Sequence, residues 1–357
     1  MSTSRINELR AKCRAANLDA IIVTNMEQVR YLTGFSGDSG MLVLSGHGAE
    51  FLTDFRFTDQ AKKQVRGARV SIVTGDLYVN LKEVAILKGR NQRVGFCGDH
   101  LSVTNRDKLA ANLPEALPVN ADSLFAEMGW VKDTAELTNI RKAVEISDTV
   151  FRRILELVRP GVRENELAAE MEYQMMMLGS EKPAFDTIVA SGYRAAMPHG
   201  VASAKRLEKG DFVTFDFGAR VNGFVSDITR TVVVGKATPR QKKIYGIVLK
   251  AQLAGIRRVR AGVAAKAVDE ACRSLIKKAG YGKEFGHGTG HGIGFFIHMG
   301  PRVSAISKDK LKPNNVITIE PGIYISGWGG VRIEDDVLVT RTGGKVLNRA
   351  PKNLLEL

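Results

Sequence analysis

Two stretches of this chain repeat one pattern with a carboxylate in the same place. Leu207-Glu-Lys-Gly-Asp-Phe-Val-Thr-Phe-Asp216 aligns without gaps on Leu311-Lys-Pro-Asn-Asn-Val-Ile-Thr-Ile-Glu320. A turn and an apolar strand therefore end in Asp216 in one copy and in Glu320 in the other. A second acid follows each, Asp227 in Ser-Asp-Ile-Thr-Arg and Glu334 in Arg-Ile-Glu-Asp-Asp. Upstream, Leu157-Val-Arg-Pro-Gly-Val162 echoes Arg258-Val-Arg-Ala-Gly-Val263, and each opens a helical run. The simplest organisation for the C-terminal half is a duplicated helix-plus-hairpin unit. Side chains alternate faces along a strand, so the acid ending one strand and the acid on its return can converge from both copies. Four carboxylates at one point repel one another unless cations join them, which outlines a metal site.

The histidines add to it. Of the six in the chain, His199, His287, His291 and His298 lie in this half. The run His287-Gly-Thr-Gly-His291-Gly-Ile-Gly-Phe-Phe-Ile-His298 spaces three imidazoles amid glycines, which are expected to let backbone approach a ligand closely. One imidazole with four carboxylates makes a hard, oxygen-rich donor set suited to two divalent ions that share bridging acids. A single acid of this kind is ordinarily a solvated surface group. Asp216 and Glu320 resist that reading because each sits in an apolar strand, where an unpaired carboxylate is costly.

Composition narrows the class. At 357 residues and 44% apolar content the chain can bury two moderate cores. No apolar run reaches transmembrane length and the N-terminus lacks a signal-peptide core, so a soluble, cytoplasmic protein is expected, with no membrane partner. Cys13, Cys97 and Cys272 lack metal spacing and read as reduced core thiols. The net charge of +14 would suit a polyanion. Lys and Arg are nevertheless spread along helices without a nucleic-acid motif, so nucleic acid is not an expected partner.

The N-terminal part alternates helix and strand, an α/β layer fold. The pattern predicts a helix over 4–16, a buried strand at Ala20-Ile-Ile-Val-Thr24, and a hairpin of Met41–Ser45 with Glu50–Thr53 across Gly46-His-Gly48. It continues with a helix over 57–66 and strands near 69–74 and 93–96, each followed by a helix. A break falls near Gly129-Trp-Val-Lys-Asp133, giving expected domains of 1–130 and 131–357. A long helix is predicted from Thr134 to Leu157, stopping at Pro160-Gly161.

Five motifs in order carry a resemblance: Asp216-Phe-Gly, Ser226-Asp-Ile-Thr-Arg230, the histidine run, Glu320-Pro-Gly-Ile-Tyr and Arg332-Ile-Glu-Asp. Together they resemble the creatinase/aminopeptidase, or pita-bread, superfamily, and within it the proline-specific metallopeptidases aminopeptidase P and prolidase. Arg30-Tyr-Leu-Thr-Gly-Phe-Ser-Gly and Asp54-Phe-Arg-Phe-Thr-Asp-Gln-Ala extend the resemblance into the N-terminal half. It implies a creatinase-like α/β N-terminal domain followed by an α+β pita-bread catalytic domain with internal duplication, and a homodimer acting on peptides with proline in second position.

The resemblance also implies roles. Asp216 would hold one metal, His291 and Glu320 the other, with Asp227 and Glu334 bridging both. The pair would be manganese in first place, with cobalt or zinc as alternatives. Glu320 is the candidate general base. His199 and His298 would contact the substrate carbonyl and the proline side, and His287 and Arg332 would orient substrate, Glu334 or both. Arg56 and Tyr31 are further candidates, and the resemblance places the N-terminal motif of Arg56 near the active site, often that of a neighbouring subunit. One departure stands out: where the family carries an acid after the last histidine, this chain has Met299.

The leading expectation is an Xaa-Pro aminopeptidase with a cleft open beyond proline, and the alternative is an Xaa-Pro dipeptidase. Two further readings, a pita-bread binding module that has lost its metals and metal-free creatinase-type chemistry, both conflict with the five intact ligand positions. Methionine aminopeptidases share the ligands but lack a long N-terminal domain.

Overall fold

The computed structural model describes residues 2–357, which divide into two compact units on either side of the Met128–Gly129 bond.

The N-terminal unit is built on a six-stranded mixed sheet. Its order is Arg69–Ile72, Ala49–Thr53, Met41–Ser45, Ala20–Val23, Arg93–Phe96 and Leu117–Asn120. The predicted hairpin is present, pairing Met41 with Leu52 and Leu44 with Ala49. Ala20, Ile22, Met41, Val43 and Leu52 bury one sheet face against Leu81, Val84 and Leu109. The sequence pattern fails at three places. Helix Met26–Thr33 exists because Asn25 caps its first amides and Gly34, at φ 86°, ends it in a left-handed turn. Leu117–Asn120 is an edge strand with mostly exposed side chains and so has no apolar signature. The helix expected after 69–74 is absent; only short 3₁₀ turns occur at Val79–Glu83 and Ala85–Leu87.

In the C-terminal unit the duplication is real. Helix Thr134–Ile154 starts in a capping box, where Asp133 accepts from the amides of Ala135 and Glu136 and Glu136 returns a bond to the Asp133 amide. Helix Glu164–Met177 follows, and then Phe212–Phe217 pairs antiparallel with Ile228–Val233. The second copy repeats this with helices Pro239–Arg258 and Ala265–Lys278 and strands Val316–Ile319 and Asp335–Val339. Each copy has its own core: Phe151, Met171, Phe215 and Phe217 in the first, and Ile244, Val268, Ile317 and Val337 in the second. The two hairpins are joined by a set of hydrogen bonds that includes the Glu334 amide to the Thr229 carbonyl (3.1 Å) and the Asp227 amide to Asp336 Oδ2 (3.0 Å). That junction sets the four acids face to face.

No helix among the described residues is long and apolar enough to cross a membrane. All three cysteines are buried free thiols, as expected, and burial pushes Cys13 up to about 11 and Cys97 and Cys272 up to about 12.

Candidate metal centre and active-site cleft

Strand geometry explains the convergence. Asp216 is the fifth residue of Phe212–Phe217, Asp227 immediately precedes the return strand, and Glu320 and Glu334 occupy the matching ends in the second copy. Carboxylate oxygens of Asp216, Asp227 and Glu334 lie within 4.8 Å of one another. His291 Nε2 is 3.6 Å from Asp227 Oδ2 and 3.4 Å from Glu320 Oε1. All five expected ligands therefore share one locus.

Its electrostatics fit divalent cations. Burial, and then the neighbouring acids Glu334 and Asp216, raise the Asp227 carboxyl well above its ordinary range. Glu334 is raised by burial and by Glu320 and Asp216, and Glu320 is pushed up to about 8, chiefly by burial. Asp216 Oδ1 and Glu334 Oε1 are buried without a hydrogen-bond partner among the described residues. Buried carboxylate oxygens left open beside like charges are ligand positions that a cation would satisfy. The His291 Nδ1–H faces the Gly292 carbonyl (3.1 Å), leaving Nε2 as the lone-pair nitrogen toward the acids. Burial, and then nearby His298, hold this ring down at about 4, the neutral form a metal requires.

Gly288 and Gly290 of the histidine run line the cleft, and Gly290 and Gly292 also pack closely on neighbouring backbone. A Cβ on Gly290 would lie 2.0 Å from the Thr318 carbonyl oxygen, and one on Gly292 would lie 2.1 Å from that of Gly300. They let the His291 strand fit between its two neighbours.

A second layer fixes the acids. Arg332 Nη2 donates to Asp216 Oδ2, Nη1 to the Tyr324 hydroxyl (2.8 Å) and Nε to Thr229 Oγ1 (3.0 Å), and Thr229 Oγ1–H donates to Glu334 Oε2 (2.6 Å). Arg332 thus ties together acids on both hairpins, Asp216 directly and Glu334 through Thr229. His287 does not reach Glu334. Its Nε2 pairs with the Tyr324 hydroxyl (2.9 Å) and its Nδ1 with the Gly288 carbonyl (2.7 Å), and burial holds it down at about 4. Tyr324 and Thr229 were within reach of the sequence, since both stand inside the quoted motifs, but nothing local says that a hydroxyl there bridges two hairpins.

The acids floor a cleft of about 950 Å³. His199 and His298 stand on its wall, exposed, with the His298 ring 4.5 Å from that of His291. Unanticipated wall residues are Trp130, Phe185, Asp186 and Arg302. Met299 also lines the cleft, and its sulfur lies 3.8 Å from Nζ of Lys132, a fully buried lysine whose Nζ also donates to the Trp130 carbonyl (3.1 Å). Of the N-terminal candidates, Arg56 makes a bidentate pair with Asp54 in its own loop (both 2.8 Å), and Tyr31 is buried beneath Arg5.

Residues 138–341 match metallopeptidase family M24, and residues 5–129 match the creatinase/prolidase N-terminal domain. An Xaa-Pro dipeptidase structure from Bacillus anthracis superposes with a TM-score of 0.95 at 40% identity over all of both chains. An Xaa-Pro dipeptidase of Pyrococcus furiosus is 40% identical over 95% of this chain and 96% of its own. An X-Pro aminopeptidase structure from Thermotoga maritima superposes at a TM-score of 0.89 with 36% identity, covering 97% of this chain and all of the other.

Proposed function

This chain belongs to metallopeptidase family M24, with a creatinase/prolidase N-terminal domain, and is a metal-dependent exopeptidase of the Xaa-Pro dipeptidase and aminopeptidase group; on that premise we propose that it cleaves Xaa-Pro dipeptides. This revises the preference for longer peptides drawn from the sequence. The observation that carries it is Arg302. Of the two arginines lining the cleft, Arg332 is committed to Asp216, Tyr324 and Thr229. The Arg302 side chain is exposed and has no hydrogen bond or ion pair among the described residues, yet it lies close enough to lower the pKa of both His291 and His298. A free guanidinium on the leaving-group side matches the carboxylate that only a dipeptide presents directly after the scissile bond. Two of the relatives above carry the dipeptidase name, which agrees.

Asp216, Asp227, His291, Glu320 and Glu334 would hold two divalent ions, manganese before cobalt or zinc because the donors are mostly carboxylate. Bound there, such ions supply Lewis acidity toward the scissile carbonyl and the attacking water. The chain's own groups do the rest. Glu320, at the edge of the ligand set, takes the water's proton and returns it to the proline nitrogen. His298 and His199 donate hydrogen bonds to the developing oxyanion and to the proline side of the bond. Arg332 and His287, tied through Tyr324, keep ligands and substrate in register.

The test is kcat/KM on matched Xaa-Pro and Xaa-Pro-Yaa substrates with Mn or Co, for wild type and Arg302→Leu. The dipeptide should lead by at least about tenfold, and Arg302→Leu should raise KM for the dipeptide more than for the tripeptide, since it removes one charge-assisted contact. A tenfold lead for the tripeptide would make the enzyme an aminopeptidase.

A further inference from the structure

We infer that two buried helix acids outside the ligand set, Glu164 and Asp269, are positioning residues that clamp the two histidine-bearing loops of the cleft, one in each copy of the duplicated domain. The inference rests on the roles proposed above for His199 and His291.

Glu164 is the first residue of helix Glu164–Met177 and is wholly buried. Its Oε1 accepts from the amide and hydroxyl of Ser191 (2.7 and 2.8 Å). Its Oε2 accepts from Arg194 Nε (2.9 Å) and from the amide and hydroxyl of Ser203 (3.1 and 2.6 Å). Arg194 passes a further bond to the Val201 carbonyl (2.6 Å). One carboxylate thus grips both ends and the middle of segment 191–203, the loop that presents His199 to the cleft. His199 is itself exposed, so its position is set by its loop and not by its own packing.

Asp269 does the equivalent from helix Ala265–Lys278, also fully buried. Its Oδ1 accepts from the amide and hydroxyl of Thr289 (3.0 and 2.9 Å), and both of its oxygens accept from Arg273 (2.8 and 2.9 Å). Arg273 extends the grip to the carbonyls of Phe285 (2.9 Å) and His287 (2.7 Å). The Thr289 carbonyl in turn accepts the Glu320 amide (2.8 Å). The loop is therefore pinned at Phe285 and His287 and again at Thr289, two residues before His291, and joined there to Glu320.

The two acids are not equivalent positions. With Val162 set on Val263, Glu164 falls on Ala265 and Asp269 on Ala168, so each copy reached the same solution from a different residue. Five or so donors converging on one anion make the clamp selective for charge. An amide of the same shape turns an NH₂ toward those donors and breaks the arrangement without leaving a cavity.

Glu164→Gln and Asp269→Asn are compared with wild type by amide hydrogen exchange, by Mn or Co titration of the metal-free protein, and by steady-state kinetics. In Glu164→Gln the Ser191 and Ser203 amides should exchange faster and kcat should fall about 10–100-fold at unchanged metal affinity. In Asp269→Asn the Thr289 amide should open and metal affinity should fall by a similar factor, the usual scale for groups that orient ligands. Ser203→Ala and Thr289→Val, which each remove one hydroxyl bond to the acid and leave the amide bond, should give smaller effects of the same kind and keep the test decisive should a carboxamide fail to fold. Equal loss of metal affinity in both variants, or unchanged exchange at these amides, overturns the clamp. His199→Ala, measured alongside, separates the two levels. Full turnover in that variant refutes the role given to His199, whereas low turnover there with a wild-type Glu164→Gln refutes the clamp.

Discussion

Lys132 should destabilise this protein at neutral pH, and replacing it by methionine should stabilise it. Its side chain is fully buried behind the cleft wall, with one hydrogen bond to the Trp130 carbonyl and the Met299 sulfur as its other neighbour. Burial pulls its pKa from 10.5 down to about 7, against a weaker opposing pull from Glu136. A drop from 10.5 to about 7, at about 1.36 kcal/mol per unit, is roughly 5 kcal/mol. From this comes off about 1 kcal/mol for the lost hydrogen bond. The Trp130 carbonyl keeps a partner in Asn315 Nδ2 (2.8 Å), so no orphan acceptor remains. Lys132→Met should thus gain roughly 3–4 kcal/mol at and below pH 7. The sign follows from linkage: a depressed lysine pKa favours the fold fully above 10.5, and that contribution is lost as pH falls through 7. The gain should accordingly shrink toward zero as pH rises to 10.5. The assay is denaturant unfolding of wild type and variant across that range, and an equal or lower stability of the variant at pH 7, or a pH-independent difference, would refute the reasoning. Met299→Glu offers the converse check, since it places a carboxylate where the sulfur now lies and should raise the Lys132 pKa above 7.

His291→Ala should lose one of two ions and nearly all activity, whereas His298→Ala should keep both and turn over about a hundredfold more slowly; equal metal loss in the two would displace His298 from its proposed role. Tyr324→Phe removes the hydroxyl shared by His287 and Arg332, leaves a buried guanidinium N–H unpaired, and should cost about 1–3 kcal/mol of stability together with a drop in kcat; a variant with wild-type stability and kcat would show the link to be idle. Glu320, raised from 4.5 to about 8, supports the metal-free fold most below pH 4.5 and loses that contribution as pH rises through 8. The apo protein should weaken over that interval, and metal binding near pH 7 should release protons, measurable by calorimetry in buffers of different ionisation enthalpy; zero proton release would contradict the raised pKa.

Much of the site was legible in the chain because its signals are local. The gapless match of Leu207–Asp216 on Leu311–Glu320 already placed two acids at strand ends, and the family resemblance then let five candidate ligands be named by number. The core followed for the same reason, from apolar runs at helix and strand periods. Other features depend on pairs of residues far apart in sequence. Tyr324, Thr229, Lys132 and Arg302 are unremarkable residue types that take on meaning only through what lies across the junction of the hairpins or behind the cleft wall. Glycine in the histidine run signalled close approach, but only the strand order told that the approaching partner was backbone. Leu117–Asn120 was lost because an exposed edge strand has no face to bury and so no pattern. Sequence by itself determined the repeat and the two-unit α/β and α+β organisation, since these rest on periodicity and on runs of neighbours, and with the resemblance it named the candidate ligands. Tertiary structure alone decided which hydroxyls, cations and buried acids hold that set in place, because hydrogen bonds between residues a hundred positions apart leave no trace in local composition.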